Sequence, residues 1–152
     1  MKRTLVATGI VALLSAQTLP LAAAEQTISC KAVPAAASDA FKAAYPQAVV
    51  KGCSKESDKG KIAYEFSSNE GKTHRDVVYS EDGKLMVAEE RIPFETAPDA
   101  VKAAVKKKHP KGKVTLAEKL TGEGVVKYEF RVKSGGKTVE AVFDEQGNEV
   151  EP

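Results

Sequence analysis

The side chains best suited to metal binding or acid–base catalysis in this sequence are its two histidines, His74 and His109. A zinc site or a catalytic base needs further ligands nearby, as in the spacings His-x-x-x-His and His-Glu-x-x-His. Neither histidine belongs to such a group, and His109 lies at a predicted helix end, where a positive charge is favourable. We therefore predict no metal site and no cofactor.

Nucleophilic and carboxylate chemistry has no better support in the sequence. There is no Gly-x-Ser-x-Gly motif, and Gly122-Glu123-Gly124 does not continue into a phosphate-binding loop. The pairs Glu81-Asp82 and Glu89-Glu90 fall in predicted turns or strands, where neighbouring side chains point to opposite faces. Acid–base catalysis needs carboxyl groups that converge in a cleft, so we interpret these pairs as solvated charges. The sequence predicts no catalytic residues and no enzymatic activity.

The start of the chain is typical of a secretory signal. Lys2 and Arg3 precede an apolar segment over residues 5–14, and the small residues 22–24 suit a signal peptidase. We predict a signal peptide over residues 1–24, cleaved after Ala24. The apolar segment is too short to span a bilayer, so we expect a periplasmic or secreted protein without stable membrane insertion.

An exported chain meets oxidising conditions, which bears on its two cysteines, Cys30 and Cys53. A disulfide between them closes a loop of about 24 residues and contributes roughly 3 kcal/mol in the chain-entropy model. The alternative, a redox pair or a soft-metal site, usually has the closer Cys-x-x-Cys spacing. We predict a structural disulfide.

The predicted mature chain carries no net charge, which bears on its partners. The sequence has 23 Lys+Arg and 21 Asp+Glu, and removal of Lys2 and Arg3 leaves equal numbers. Neither half has the positive excess that binding to a phosphate backbone requires, so we predict no nucleic-acid partner. Lys102, Lys106 and Lys107 form a local cluster. It is either the solvent face of a helix, near its C-terminus, or a patch for an anionic partner.

The sequence repeats itself with a period of 64 residues. Pro34 matches Pro98 before the predicted helices, and Tyr45-Pro46 matches His109-Pro110 after them. A Tyr-Glu-Phe motif recurs at residues 64–66 and 128–130, and a turn glycine recurs at Gly83 and Gly147. One motif, Gly71-Lys72-Thr73, matches Gly136-Lys137-Thr138 at an offset of 65, which predicts a one-residue insertion in a loop of the second copy.

Each copy is predicted to be one helix followed by four strands. Apolar residues recur at helical spacing after Pro34 and Pro98, and Pro46 and Pro110 end the two helices. The following segments alternate apolar and polar residues, as half-buried strands do. We predict an α+β fold of two tandem α-β-β-β-β repeats, each a helix on an antiparallel meander, with one sheet possible for both. The predicted boundaries are a signal over 1–24, an N-terminal arm over 25–33, and repeats over 34–93 and 94–152.

The joint spacing of helix, proline, Tyr-Glu-Phe and turn glycine resembles the PepSY-like modules grouped with the β-lactamase-inhibitor protein. The resemblance covers residues 33–152. It implies a secreted or periplasmic, non-enzymatic pair of α/β units, in a group proposed to bind or inhibit proteases or other secreted enzymes. It supplies no catalytic residues.

The candidate partner-binding face is the polar side of the Tyr-Glu-Phe strands, namely Glu65, Lys127, Glu129, Arg131 and Lys133. A charged face suits an electrostatically steered contact. Tight interfaces rely on Trp, Tyr and Arg anchors, yet the chain has no Trp, and among its Tyr and Phe residues we expect only Phe94 to be free of the core. The sequence predicts a module that binds an unidentified envelope or secreted protein and inhibits or regulates an enzyme of the protease or β-lactamase class. The alternative is an envelope protein that binds a small ligand or ion.

Overall fold

The structure, a computed structural model, describes residues 24–58 and 61–151. The predicted signal peptide, except Ala24, lies outside the described residues, as does Pro152 at the end of the predicted last strand. Nine strands in the described part form one antiparallel sheet in chain order, accompanied by two helices, which confirms the α+β prediction. The elements are β1 Ala24–Ile28, α1 Ala35–Ala44, β2 Val49–Asp58, β3 Lys61–Glu70, β4 Thr73–Ser80, β5 Leu85–Arg91, α2 Asp99–Lys108, β6 Lys113–Gly122, β7 Val125–Ser134, β8 Lys137–Asp144 and β9 Glu149–Val150.

The helices begin and end where the prolines predict. Pro34 and Pro98 occupy the N-cap positions, at which the fixed φ of proline is tolerated and its missing N–H is not needed. Tyr45 and His109 are the C-caps, and each donates its backbone N–H to the carbonyl four residues earlier. A proline follows each C-cap, so neither helix can continue.

The period of 64 residues is exact throughout the described chain. Both helices, the strand pairs β2/β6, β3/β7 and β4/β8, and two short 3-10 turns, Cys30–Ala32 and Phe94–Thr96, are related by this offset. The predicted one-residue insertion is therefore wrong. The turns before β4 and β8 have equal length, and Gly71 corresponds to Gly135 with nearly the same φ, +60° and +57°. The Gly-Lys-Thr match at an offset of 65 does not reflect equivalent positions.

A strand that sequence patterning missed, β1, begins at the last residue of the predicted signal peptide and continues through the first four residues of the predicted N-terminal arm. Strand β1 pairs antiparallel with β2, with Ala24 opposite Ser57 and Ile28 opposite Cys53. The period makes β1 the equivalent of β5, which pairs with β6 in the same register. Strand β5 thus closes the first repeat and opens the second, and this sharing makes the two meanders one continuous sheet.

Each helix covers its own hydrophobic core on the same side of the sheet. Helix α1 buries Ala37 and Phe41 against β3, β4 and β5, and α2 buries Val101 and Val105 against β6, β7 and β8. Phe94 belongs to the second core: its ring meets that of Phe130 edge to face, with the centroids 5.6 Å apart. The expectation that Phe94 is free of the core is therefore wrong.

Candidate functional site

The face of the sheet opposite the two helices is the candidate functional surface, here called the open face. Residues on the helix side, such as Phe66, Val77 and Ala88, lie opposite one another across the strands. Their chain neighbours point to the other side, because side chains alternate along a strand. No helix of the described chain covers this second side.

The residues of the predicted partner-binding face all lie on the open face. Glu65 alternates with the core residues Tyr64 and Phe66 in β3, and the four residues of β7 alternate with Tyr128, Phe130 and Val132: Lys127, Glu129, Arg131 and Lys133. Four strand spacings separate β3 from β7, which is about 19 Å. The structure therefore groups the four β7 residues and places Glu65 in a separate part of the surface.

Two of the β7 residues form hydrogen bonds, one with β8 and one with the segment after β9. Arg131 donates two hydrogen bonds to the Glu140 carboxylate in β8, of 2.8 and 3.1 Å. Lys127 donates through Nζ to the Glu151 carbonyl at 2.8 Å. Lys133 is exposed, opposite Lys113 and Thr138. These contacts orient long side chains while leaving much of each charged group in water.

Around Glu65, carboxyl groups from four strands converge. We name this set, Glu56, Glu65, Asp76 and Glu89, the carboxylate cluster. Asp76 and Glu89 are direct cross-strand partners, and Glu56 in β2 is a diagonal neighbour of Glu65 in β3. Each member comes from a different strand, β2 to β5, so the convergence is created by the sheet.

The surroundings of this cluster favour the protonated form of two of its members. Burial raises the pKa of Glu65 to about 7, aided by the neighbouring carboxyl group of Glu56 and the negative charge of Asp76. Burial likewise raises the pKa of Glu89 to about 7, with the charges of Glu118, Glu129 and Asp76 adding to the effect. Each group changes charge near neutral pH, whereas an isolated glutamate is fully ionised there.

Two polar atoms, one within the carboxylate cluster and one next to it, are buried without a hydrogen-bond partner in the described structure. One is Asp76 Oδ1; the other oxygen of that carboxylate contacts His74 Nε2 at 3.0 Å. The second atom is the hydroxyl oxygen of Ser54, a residue that is 5% exposed and lies directly opposite Glu65. Buried polar atoms are usually paired, so these two mark unused hydrogen-bonding capacity at the cluster.

A shallow depression of about 340 Å³ lies between β2 and β5. Its acidic wall consists of Glu56, Glu65 and Glu89, and Lys61 stands at its exposed end. The remaining lining is apolar: Ala63, Val78, Met86 and Val87. The depression therefore combines an apolar floor with a wall of carboxyl groups.

Comparison with known proteins identifies the family. The family described, provisionally, as beta-lactamase-inhibitor-like, PepSY-like, matches this chain twice, over residues 21–87 and 70–150. The chain belongs to this family. The overlap of the two matches includes Leu85–Val87 at the start of β5, the strand shared by both repeats. A comparison with curated proteins finds no match.

Solved structures share the PepSY-like fold at low sequence identity. A BLIP-like protein from Bacteroides fragilis is 22% identical, with a TM-score of 0.62 over 78% of this chain and 84% of that one. A protein from Bacteroides eggerthii, provisionally described as periplasmic, is 18% identical, with a TM-score of 0.64 over 78% and 86%. A DUF2874 family protein from Bacteroides uniformis is 16% identical, with a TM-score of 0.63 over 78% and 86%.

The lysines of the PepSY-like protein's second helix lie on the helix side of the sheet, away from the open face. Lys102 contacts the Asp99 carboxylate at 2.9 Å and the Glu95 carbonyl at 3.1 Å. Lys106 lies over the Phe94 ring, 5.9 Å from its centroid, and Lys107 is exposed. The structure thus gives Lys102 and Lys106 local contacts and does not bring the three ammonium groups to one point.

Sequence patterning missed the convergence of the four carboxyl groups. It placed Glu89 and Glu90 on opposite faces, which is right: Glu89 faces the open side, and Glu90 pairs with Arg75 on the helix side. Their interpretation as solvated charges is wrong for Glu89, which is half-buried among other carboxyl groups. The only available signal was the alternation of acidic with apolar residues in several strands, and it does not reveal which strands become neighbours.

The described residues contain neither a cluster of metal ligands nor a helix that could span a membrane. Among residues 24–58 and 61–151, no group of three or more His, Cys, Asp or Glu side chains is placed to hold a metal ion. Neither of the two described helices has the length and apolar character needed to cross a bilayer.

Proposed function

We propose that this PepSY-like protein is a periplasmic or secreted, non-enzymatic module that binds an envelope or secreted enzyme through its open face and inhibits or regulates it. The protease and β-lactamase classes are the first candidates, since the family is described as beta-lactamase-inhibitor-like. The observation that carries the proposal is the uncovered side of a continuous nine-stranded sheet, with both helices packed on the other side.

The composition of the open face supports protein binding. Apolar side chains lie beside charged ones along it, and Val78 and Val87 alternate in space with Glu65 and Glu89. Such a mixture is typical of non-obligate protein interfaces, which are about as apolar as the rest of a protein surface. A broad, pre-formed sheet also loses little conformational entropy on binding.

Export of the chain is supported by three independent features. These are the predicted signal peptide, the disulfide between Cys30 and Cys53, and the provisional periplasmic description of the Bacteroides eggerthii protein with the same fold. Disulfides persist in oxidising compartments and are rare in a reducing cytosol.

The test compares two surfaces of one protein. The protein is expressed from its full sequence, immobilised with its disulfide formed, and exposed to the envelope extract of its own host. One variant reverses charges on the open face, Lys127→Glu, Glu129→Lys and Arg131→Glu. The matched control reverses two charges on the helix side, Lys106→Glu and Lys107→Glu. Retained proteins are identified by mass spectrometry, and every retained enzyme is assayed with and without added protein.

We expect an enzyme that the wild type and the control retain, that the open-face variant loses, and whose activity changes on stoichiometric addition of the wild type. Loss in the helix-side variant alone would move the interface to the lysines of α2. An absence of specific retention, combined with a melting shift on addition of a small cation, would favour the ligand-binding alternative instead.

A further inference from the structure

The carboxylate cluster and the apolar depression beside it form a site for one side chain of a partner. We propose that this site binds an arginine or lysine side chain of a basic partner segment that lies across the open face. The inference rests on the proposed function and deepens it, because it specifies the chemistry of the partner.

Charge complementarity is the first support. Two other carboxylates of the open face have cationic partners: Glu118 pairs with Arg91 at 3.4 Å and Glu140 with Arg131 at 2.8 Å. Within the described residues, no Lys or Arg nitrogen lies within 4.0 Å of a carboxylate of the cluster, and only His74 contacts one, at Asp76. Like charges held this close repel, and a cation placed among them relieves the repulsion.

Unused hydrogen-bond acceptors provide a second, independent support. Ser54 Oγ is buried directly opposite Glu65 on the same face, and it has no partner in the described structure. A buried hydroxyl without a partner is destabilising. Asp76 Oδ1 is likewise buried without a hydrogen-bond partner in the described structure. A guanidinium group has five N–H donors in a planar fork and an ammonium group has three, so either can donate to acceptors and carboxylates together.

The apolar lining of the depression favours a basic side chain over a bare metal cation. The side chains of the floor, Ala63, Val78, Val87 and Met86, offer apolar surface and no oxygen ligands for a hard metal cation. Lysine and arginine bury their methylene stems against apolar surface while their charged ends reach a polar region. Here the stem would lie on the floor and the charged end against Glu65 and Glu89.

Binding at this site depends on pH because the carboxyl groups must be ionised to attract the cation. The pKa values of Glu65 and Glu89 in the free protein are raised to about 7. The groups that face this pair are Glu25 in β1, Glu56 in β2, Asp76 with its partner His74 in β4, Glu118 in β6, and Glu129 in β7, with Lys61, Glu123 and Lys127 at the margins. Most of these charges are negative. Binding of a cation therefore releases protons, and affinity rises as pH increases from 6 to 8.

A model peptide tests the site without knowledge of the natural partner. The probe is a fluorescently labelled hexapeptide that alternates leucine and arginine. The matched control peptide carries citrulline, which has nearly the shape of arginine and no charge. Binding is measured by fluorescence anisotropy at pH 8 and pH 6 in 0.15 M NaCl, with the protein expressed from its full sequence and its disulfide formed.

The protein variants are matched in the same way. Glu65→Gln with Glu89→Gln removes two carboxylates from the cluster while keeping the side-chain shapes. The control, Asp39→Asn with Glu145→Gln, removes two carboxylates that are exposed in α1 and in the β8–β9 turn. Circular dichroism verifies that all variants are folded.

We expect the arginine peptide to bind the wild type and the control, with affinity at least about tenfold lower at pH 6 than at pH 8, because the competent ionised fraction falls. The cluster variant should lose about tenfold or more at pH 8 and lose the pH dependence. Equal binding of the citrulline peptide, equal binding by the cluster variant, or unchanged affinity at pH 6 would each overturn the proposal.

These outcomes are distinguishable from a failure of the proposed function. If the arginine peptide does not bind but the open-face variant Lys127→Glu, Glu129→Lys, Arg131→Glu still loses a captured enzyme, the basic-side-chain site is wrong and the protein-binding function stands. If Ca²⁺ or Mg²⁺ at millimolar concentration stabilises the wild type and the cluster variant loses this effect, a metal ion is the ligand and the basic segment is rejected.

Discussion

Phe94 lies in the second repeat at the position that Cys30 occupies in the first. Both residues begin a 3-10 turn that precedes the helix, Cys30–Ala32 and Phe94–Thr96. Cys30 forms a disulfide with Cys53 in β2, with the Cα atoms 5.2 Å apart, whereas the equivalent of Cys53 is Ala117, beside which the Phe94 ring packs on Phe130. One repeat thus fastens this turn to the sheet covalently, and the other does so by aromatic packing.

Removal of the disulfide should destabilise the whole sheet. We expect the variant Cys30→Ala, Cys53→Ala to lose about 3 kcal/mol of unfolding free energy, the entropic contribution of a loop of this length. The measurement is urea denaturation, with the wild type in reductant as the parallel sample. The variant and the reduced wild type should lose the same unfolding free energy. A loss below about 1 kcal/mol in both would show that β1 and the turn are held by their other contacts.

The aromatic counterpart can be tested in the same experiment. Phe94→Ala removes a half-buried ring from the second core, and we expect a loss of about 2 kcal/mol, below the usual range for a fully buried Phe. Phe94→Leu, which keeps most of the apolar volume, should cost about half as much. If Phe94→Ala left stability unchanged, Phe94 would be available to a partner, as the sequence alone suggested.

The sequence predicts those features of the structure that depend on neighbouring residues or on the repeat, and it does not predict the pairing of β1 with β2. The helices, the hairpin turns and the duplication are local or periodic features, and Pro34, Pro98, Gly83 and Gly147 locate them correctly. Strand β1 escaped detection because its five residues, Ala24–Ile28, have no strict alternation, and they become a strand by pairing with β2. The sharing of β5 could be recognised only after β1 was seen as its equivalent.

The candidate site was less accessible to sequence analysis for a physical reason. Glu56, Glu65, Asp76 and Glu89 are spread over 34 residues of chain, and only the register of four strands brings them together. The residues that patterning selected in β7, including Lys127 and Arg131, are on the open face because alternation along a strand is predictable. Which residues of other strands lie beside them is decided by strand pairing and register, which the alternation of side chains does not reveal.

Two turn glycines carry a packing constraint that a third glycine lacks. Gly83 and Gly147 both have φ of +82°, and a Cβ there would lie 2.7 Å from the Ala36 carbonyl oxygen and 2.6 Å from that of Ala100, respectively. Gly71 has φ of +60° and open space around it. The hairpin turn of each repeat therefore touches the first turn of its own helix.

Alanine substitutions at these three glycines separate the cost of backbone strain from the cost of a steric clash with the helix. Gly71→Ala should cost about 1 kcal/mol, the penalty of the left-handed conformation. Gly83→Ala and Gly147→Ala should each cost about 2 kcal/mol or more, because the helix must also move. Thermal and urea unfolding of the three variants measure the difference; equal costs at all three positions would mean that the helix shifts without penalty.

Arg75 joins three elements of the first repeat. On the helix side of the sheet, its guanidinium donates to Glu90 at 2.6 and 3.0 Å and to Glu70 at 3.1 Å, and it lies over the ring of Tyr45, 4.6 Å from its centroid. Its side chain is 12% exposed. The second repeat has Val139 at this position, without such a network.

Loss of this network should be measurable in the unfolding free energy. We expect Arg75→Ala to cost about 2 kcal/mol, since two carboxylates lose a cation that donates several hydrogen bonds. Arg75→Lys should cost about 1 kcal/mol, because an ammonium group cannot reproduce the planar fork. Val139→Ala, the equivalent change in the second repeat, should stay within about 0.5 kcal/mol. If the alanine variants at the two positions were equally stable, the network would be a surface feature without energetic weight.

The carboxylate cluster predicts an unusual dependence of stability on pH. Glu65 and Glu89 have pKa values of about 7 in the folded protein, above the ordinary glutamate value that applies in the unfolded chain. The folded state therefore binds more protons between about pH 4.5 and 7, and stability from these groups is present in acid and lost as pH rises through 7. After allowance for solvent screening of half-buried groups, we expect about 1 kcal/mol from each, which corresponds to several degrees in Tm.

Thermal unfolding at pH 5 and pH 8 measures this effect. The wild type should melt at lower temperature at pH 8 than at pH 5, and the Glu65→Gln, Glu89→Gln variant should be more stable than the wild type at pH 8 and nearly equal to it at pH 5. The control Asp39→Asn, Glu145→Gln should follow the wild type, because both of its carboxylates are exposed. A wild type that is more stable at pH 8 would mean that the cluster is ionised without cost. In that case a bound cation would gain nothing from relief of repulsion, and the basic-side-chain site would lose its energetic basis.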